Sequence, residues 1–297
     1  ALRTGLGGMF IGVLLIAGAT SLPEVLTSVS ALNQNSPNLA AGNLLGSNTF
    51  NMFLLAILDV AHRNQRILRK AALKHAVTGS LAVFMIGLVV FFMLADIQWK
   101  IGWMGFDSLI LIAVYILAVR IIHKENTGIS PSKEKPVVPL GTPELWIGIL
   151  GFMLAAAALV VLTPIMVTNA NIIADKTGLG TTFVGTTLVA LVTSLPELVT
   201  TLAAVKIGAT DMAIGNLFGS NMFNMFAIGL TDMFFTQGRF LAAIDPSFLL
   251  VAMLGLLMTG IGVVGNLAKL EKKLWVIELD ALALMILYFG GMYLLYV

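Results

Sequence analysis

Nine stretches of this chain stay apolar for the length of a membrane-spanning helix: residues 5–31, 39–59, 75–95, 101–123, 144–168, 178–205, 211–232, 246–265 and 274–296. About 20 apolar residues, rising 1.5 Å each, cross a hydrocarbon core of about 30 Å. The stretches are too long and too evenly apolar for barrel strands, which alternate over about 10 residues. Backbone polar groups in lipid must be satisfied internally, which leaves the helix as the spanning form. The predicted fold class is therefore an all-α integral membrane protein. Composition agrees, with 11% charged residues and a mean hydropathy of +0.97, against roughly 25% charged in a soluble domain. The chain has no cysteine, so disulfides and thiolate metal sites are excluded.

Charge placement predicts the topology. The loop "HRNQRILRKAALKH" carries five basic residues and no acid, and fourteen of the seventeen Lys and Arg residues fall on its side of the spans. Lys100, Lys176 and Arg239 fall opposite. The positive-inside rule then puts loops 61–74, 121–143 and 266–273 in the cytoplasm of a multi-pass cell-membrane protein. Topology accounts for the basic run without a nucleic-acid partner.

The chain also matches itself at an offset of 173 residues. "ALRTGLGGMFIGVLLIAGATSLPEVLTS" at 1–28 lies over "ADKTGLGTTFVGTTLVALVTSLPELVTT" at 174–201, and "AAGNLLGSNTFNMF" at 40–53 over "AIGNLFGSNMFNMF" at 213–226. Over 1–53 against 174–226 no gap is needed, and about half the positions are identical. Five spans lie between the starts of the two copies, and an odd number inserts them in opposite orientations. That is the inverted-repeat plan of secondary transporters, with the site at the repeat interface near the bilayer midplane. The expected organisation is a first repeat over 1–123, a polar, proline-broken cytoplasmic linker over 124–143, and a second repeat over 144–297. Span 144–168 precedes the second copy, so the repeat leads us to expect a tenth helix, the first of the bundle, ahead of Ala1.

Each copy contains "TSLPE", at Thr20–Glu24 and Thr193–Glu197. A proline removes one amide donor and frees the carbonyl four residues back, and such a carbonyl survives at membrane depth only where it lines a cavity or meets a partner. A carboxylate near the bilayer centre costs at least about 2.5–3.5 kcal/mol, so its default reading is functional. Thr20 and Ser21 precede Glu24 by four and three residues, which places all three on one helical face; Thr193, Ser194 and Glu197 repeat the pattern. The "GNLxGSNxFN" segments add Asn43, Ser47 and Asn51, and Asn216, Ser220 and Asn224, at i, i+4 spacing. An all-oxygen set without His or Cys suits hard cations such as calcium. Gly42-xxx-Gly46 and Gly215-xxx-Gly219 read as small-residue helix seams. Asp59, Asp107, Asp232 and Asp280, nearer span ends, read as anchors.

At these residues the sequence resembles the calcium/cation antiporter superfamily and, within it, the sodium/calcium exchanger family of the prokaryotic type without a large regulatory loop. The resemblance covers both signature regions. It implies ten helices in two inverted halves and an antiporter exchanging sodium for calcium by alternating access, not an enzyme. It further implies Glu24 and Glu197 as shared calcium and sodium ligands, with Thr20, Ser21, Ser47, Thr193, Ser194 and Ser220 adding oxygens. The carbonyls of Ala17 and Ala190 would serve outer sodium sites, and Asn51 and Asn224 complete the set. Some relatives carry aspartate where this chain has Asn224, so two glutamates supply the obvious fixed charge here, which favours potassium independence. The expected partners are calcium and sodium ions and the lipid bilayer, with no cofactor and a monomeric unit. A proton-coupled calcium exchanger, and outside the antiporters a cation channel, use the same kind of oxygens and remain the alternatives.

Overall fold

The computed structural model describes residues 16–61, 72–128, 145–268, 273–274 and 277–297. Helices α1 (Ala17–Thr20) and α2 (Leu22–Asn33) form a broken rod, followed by α3 (Pro37–Ala61) and α4 (Ala72–Ala95). A short hairpin, β1 (Lys100–Ile101) and β2 (Met104–Gly105), leads into α5 (Phe106–Gly128). Then come α6 (Leu145–Thr177), α7 (Gly180–Val184), a π-helical turn at Gly185–Val189, α8 (Ala190–Thr193), α9 (Leu195–Lys206) and α10 (Thr210–Asp232). The chain closes with α11 (Phe240–Ala243), α12 (Phe248–Ala268), the hairpin β3 (Lys273–Leu274) and β4 (Ile277–Glu278), and α13 (Leu279–Tyr296).

Among the described residues six helices are long and apolar enough to cross a membrane, and seven when the pair Gly180–Thr193 and Leu195–Lys206, bent by 41°, counts as one span. Two of the nine expected spans account for the difference. The opening of span 5–31 lies outside the described residues. Span 211–232 forms a single 23-residue helix, α10, but its four buried residues Asn216, Ser220, Asn221 and Asn224 lower its hydropathy. Those residues face protein, so lipid sets no requirement on them. Spans 101–123 and 274–296 begin later than hydropathy alone indicates, because a hairpin occupies their first residues; Gly102, at φ +67°, supplies the left-handed turn in the first.

The elements recur at the sequence offset. Ala17–Thr20 and Leu22–Asn33 return as Ala190–Thr193 and Leu195–Lys206, Lys100–Ile101 as Lys273–Leu274, and α5 starts at Phe106 where α13 starts at Leu279. Packing is exchanged between the copies. Helix α3 packs against α12 and α13, and α10 packs against α4 and α5. Aromatic stacking follows the same exchange: Tyr288 stacks on Phe53 at 4.5 Å and Tyr115 on Phe226 at 4.5 Å. Offset-stacked pairs at such centroid distances contribute about 0.5–1.5 kcal/mol beyond buried area.

The core is thickest around α3 and α10, whereas α6 faces outward, with only 6% of its most apolar window buried. Its exposed Leu154, Val161 and Leu162 suit lipid contact. The Gly42–Gly46 seam meets the π-helical turn, since a Cβ on Gly42 would lie 2.8 Å from the carbonyl carbon of Gly185. Only glycine permits that backbone approach. The stretch 233–245 has no sequence signal, yet its Arg239 is buried and pairs with Asp107 at 3.5 Å and with Asp96 at 3.3 Å. Asp232 caps the same corner, accepting hydrogen bonds from Gly105 N and Phe240 N at 2.7 Å each. Asp107 and Asp232 thus serve as anchors. Of the loops expected in the cytoplasm, residues 62–71, 129–143 and 269–272 lie outside the described residues.

Candidate functional site

Both "TSLPE" segments break their helix at the serine. Ser21 has φ −86° and ψ 7°, Ser194 has φ −85° and ψ 7°, and Pro23 and Pro196 stand in the first turns of α2 and α9. Proline suits a first helical turn, where its missing amide leaves no intrahelical bond unmade. The break turns each serine toward the other copy. The Ser21 hydroxyl donates to Glu197 Oε1 at 2.9 Å, and the Ser194 hydroxyl donates to Glu24 Oε1 at 3.1 Å. Each glutamate follows its own serine by three residues, so the crossed bonds bring the two carboxyl-bearing faces together.

Asn43 and Asn216 hold this crossing in place. Asn43 Nδ2 donates to the Glu24 carbonyl at 2.9 Å and to Ser28 Oγ at 3.0 Å, while its Oδ1 accepts from the Thr193 hydroxyl at 2.8 Å. Asn216 does the same for Thr200, Thr201 and Thr20. Both amides have protein partners on each side, so the structure makes them braces between copies, not open oxygen ligands.

The remaining predicted residues are buried. Glu24, Glu197, Ser21, Ser47, Ser194, Ser220 and Asn224 are fully buried, and Asn51, Thr20 and Thr193 nearly so. The Ser220 hydroxyl reaches Glu197 Oε1 at 3.4 Å. The carbonyls of Ala17 and Ala190 accept the amides of Ser21 and Ser194 at 2.9 and 3.0 Å, with the Thr20 and Thr193 hydroxyls near their second lone pairs at 3.3 and 3.2 Å. Five oxygens of the set, Glu24 Oε2, Glu197 Oε2, Ser47 Oγ, Asn51 Oδ1 and Asn224 Oδ1, have no hydrogen-bond partner. No ion pair reaches either glutamate among the described residues. Buried polar atoms are rarely left without partners. These five oxygens, two of them on carboxyl groups, are of the type that hard cations take as ligands.

Two further residues belong here that motif reading passed over. Asn48 Oδ1 accepts from Asn224 Nδ2 at 3.0 Å, and Asn221 Oδ1 accepts from Asn51 Nδ2 at 3.0 Å. They are the asparagines of "GSN", and the only signal available was their place inside a duplicated motif. Away from this site, Asp59, Glu278 and Asp280 place carboxylate oxygens within 4.8 Å of one another.

Comparison with known proteins places the chain in a family. The family described as sodium/calcium exchanger protein matches residues 1–123 and 147–297. The chain is 30% identical over 257 residues to the inner membrane protein YrbG of Escherichia coli, covering 82% of this chain and 73% of that protein. It is 28% identical over 274 residues to the sodium/calcium exchanger MaX1 of Methanosarcina acetivorans, covering 79% and 76%. Among solved structures it resembles the sodium-calcium exchanger NCX_Mj soaked with 2.5 mM Na+ and 0.1 mM Sr2+, with a TM-score of 0.62 and 25% identity over 97% of this chain and 87% of that one. The same exchanger soaked with zero Na+ and Ca2+ gives a TM-score of 0.61 at 25% identity, over 99% and 89%. With two crossed "TSLPE" segments at its centre, this multi-pass membrane protein belongs to the sodium/calcium exchanger protein family.

Proposed function

We propose that the protein is a secondary antiporter exchanging sodium for calcium across the cell membrane. The observation that carries this reading is the set of five buried oxygens without donors, two of them on glutamates that pair with no Lys or Arg among the described residues. Glu24 and Glu197 bind calcium and share sodium. Ser47, Asn51 and Asn224 contribute side-chain oxygens, as do Thr20, Ser21, Thr193, Ser194 and Ser220 when an ion draws their hydroxyls round. Ala17 and Ala190 offer carbonyl lone pairs to outer sodium ions.

Exchange follows from competition. Two carboxylates balance one calcium ion, and several sodium ions can occupy the same oxygens, but both loads cannot fit together. The site carries no fixed charge beyond the glutamates, because residues 51 and 224 are neutral amides, so potassium is dispensable.

The halves 1–123 and 144–297, joined by a cytoplasmic linker over 124–143, act as an inverted repeat. The reciprocal serine–glutamate bonds, each related to the other by the 173-residue offset, support this. A two-fold relation lets one site face either side of the membrane with equivalent surroundings. Alternating access comes from sliding against a rigid remainder, the movers being the first span and the helix expected before it, with the repeat-related α6 and 180–206 rod. Helix α6 buries little of its most apolar stretch, and side-chain hydrogen bonds to Gln34 and Ser36 tie it to the turn after α2. Gly178 and Gly180, at φ +73° and +74°, lie between α6 and the rod and can absorb backbone rotation. The basic loops lie in the cytoplasm.

The test is radiolabelled calcium uptake into proteoliposomes with sodium, potassium or a pH gradient as the sole driving ion. Sodium alone is expected to drive uptake. Uptake driven by a pH jump and indifferent to sodium would overturn the coupling in favour of a proton exchanger. Calcium flux without any counter-ion would make the protein a channel.

A further inference from the structure

Asn51 and Asn224 are not held equally. Asn51 Nδ2 donates to Asn221 Oδ1 at 3.0 Å. On its far side, Asn221 Nδ2 donates to Thr259 Oγ1 at 3.2 Å and to the Asn48 carbonyl at 3.3 Å. Thr259 Oγ1 in turn donates to the Gly255 carbonyl at 2.7 Å. All three side chains, Asn51, Asn221 and Thr259, are buried at 1% exposure or less.

The polarity of this chain is fixed from its outer end. A hydroxyl has one proton, and a carbonyl can only accept. With its proton committed to Gly255, the Thr259 oxygen faces Asn221 as an acceptor, and the Asn48 carbonyl is a second acceptor there. Asn221 must therefore present its NH2 to them and its oxygen to Asn51. Asn51 must answer with its own NH2, which leaves Asn51 Oδ1 as the atom without a protein partner.

The other arm lacks the anchor. Asn224 Nδ2 donates to Asn48 Oδ1, but Asn48 Nδ2 has no hydrogen-bond partner. The residue 173 positions before Thr259 is Ile86, fully buried in the apolar core. If Asn48 and Asn224 flip together, their mutual hydrogen bond is retained, so nothing among the described residues holds Asn224 to one orientation.

We propose that Thr259 is a positioning residue for ion binding: through Asn221 it locks Asn51 with its carbonyl oxygen toward the ion, whereas the Asn224 arm stays free to turn. This rests on the reading of Asn51 as an ion ligand. Thr259 touches no ion and acts only by the hydrogen-bond polarity it imposes.

The experiment measures KM and kcat for sodium-driven calcium uptake by the full chain in proteoliposomes. Thr259→Val keeps the shape and removes the hydroxyl. The Asn48 carbonyl is then the one anchor left to Asn221, so the amide pair flips part of the time and KM for calcium rises by up to about twofold with kcat retained. Thr259→Ser keeps the hydroxyl and restores the wild-type KM. In an Asn51→Ala background, which by itself raises KM, Thr259→Val adds nothing further, because the group it orients is gone. Asn221→Ala removes both anchors at once and raises KM by about twofold or more, with the same loss of effect in the Asn51→Ala background. An unchanged KM in both Thr259→Val and Asn221→Ala overturns the inference, and so does an equal further rise on top of Asn51→Ala, which marks general packing damage. An Asn51→Ala protein with wild-type KM overturns the ligand reading itself, and the positioning role with it.

Discussion

Replacing Glu24 or Glu197 by Gln separates what the carboxylates do for transport from what they do for folding. Each glutamate has one oxygen bonded to a serine hydroxyl of the other copy and one with no protein partner. A glutamine oxygen can accept the same serine bond, so the crossing of the two broken helices is preserved. What changes is charge. At an effective dielectric of about 20, a divalent ion about 3 Å from a carboxylate gains roughly 11 kcal/mol, and a sodium ion half that. Several kcal/mol of carboxylate desolvation stand against this gain, so calcium loses more than sodium by several kcal/mol. Affinity for calcium should fall by more than about a thousandfold, since each 1.4 kcal/mol is a factor of ten. The ion-free protein should not weaken, because a buried carboxylate costing at least about 2.5–3.5 kcal/mol at the membrane centre is replaced by a neutral amide.

Two measurements check this together. Sodium-driven calcium uptake in proteoliposomes should vanish for both single variants. In detergent, calcium should raise the melting temperature of the wild type, by about 2.7 kcal/mol of added stability at a hundredfold excess over Kd, and leave both variants unmoved. Near-normal uptake by both variants would refute the site. A variant that unfolds without ion would refute the separation of charge from structure.

Asn224→Asp adds a third carboxylate to a site built on two, and the surplus charge should recruit a proton or another monovalent cation. Calcium transport should become sensitive to pH or potassium where the wild type is indifferent, and a wild type already dependent on potassium would reject the reasoning. Gly46→Ala puts a Cβ 2.7 Å from Thr186 Cα and 2.9 Å from Ala190 Cβ, an overlap costing about 1–3 kcal/mol or more; a fall in folded yield should follow, whereas Gly151→Ala, with no atom within 4 Å, should be silent. Arg239→Met leaves buried Asp107 without its partner and should destabilise by about 3–5 kcal/mol in thermal denaturation, with no change in the calcium KM of the protein that remains folded.

Hydropathy, the proline–glutamate pairs and the self-match at 173 residues determined the class of this protein and the composition of its site, because each is a local cost that lipid makes severe. An acid, a proline or a run of amides inside an apolar helix has few structural explanations, so Glu24, Glu197, Asn51 and Asn224 were legible as a set. The family resemblance rested on the same residues. Partner choice was not legible. Asn43 and Asn51 are both asparagines on one helix, and Asn43 proves a fully bonded brace while Asn51 keeps an oxygen open; the difference lies in residues 150 and 170 positions away. Thr259 sits in an apolar helix where a threonine usually bonds its own backbone, as it does here, and only the tertiary structure shows Asn221 against its free lone pair. Arg239 lay in a stretch without any pattern, and its burial depends on acids contributed by two other segments, at Asp96 and Asp107. Sequence fixes which groups a helix carries and on which face, since that follows from its period. Which of those groups remain open to an ion depends on which distant donors reach them, and that is decided only when the two copies pack.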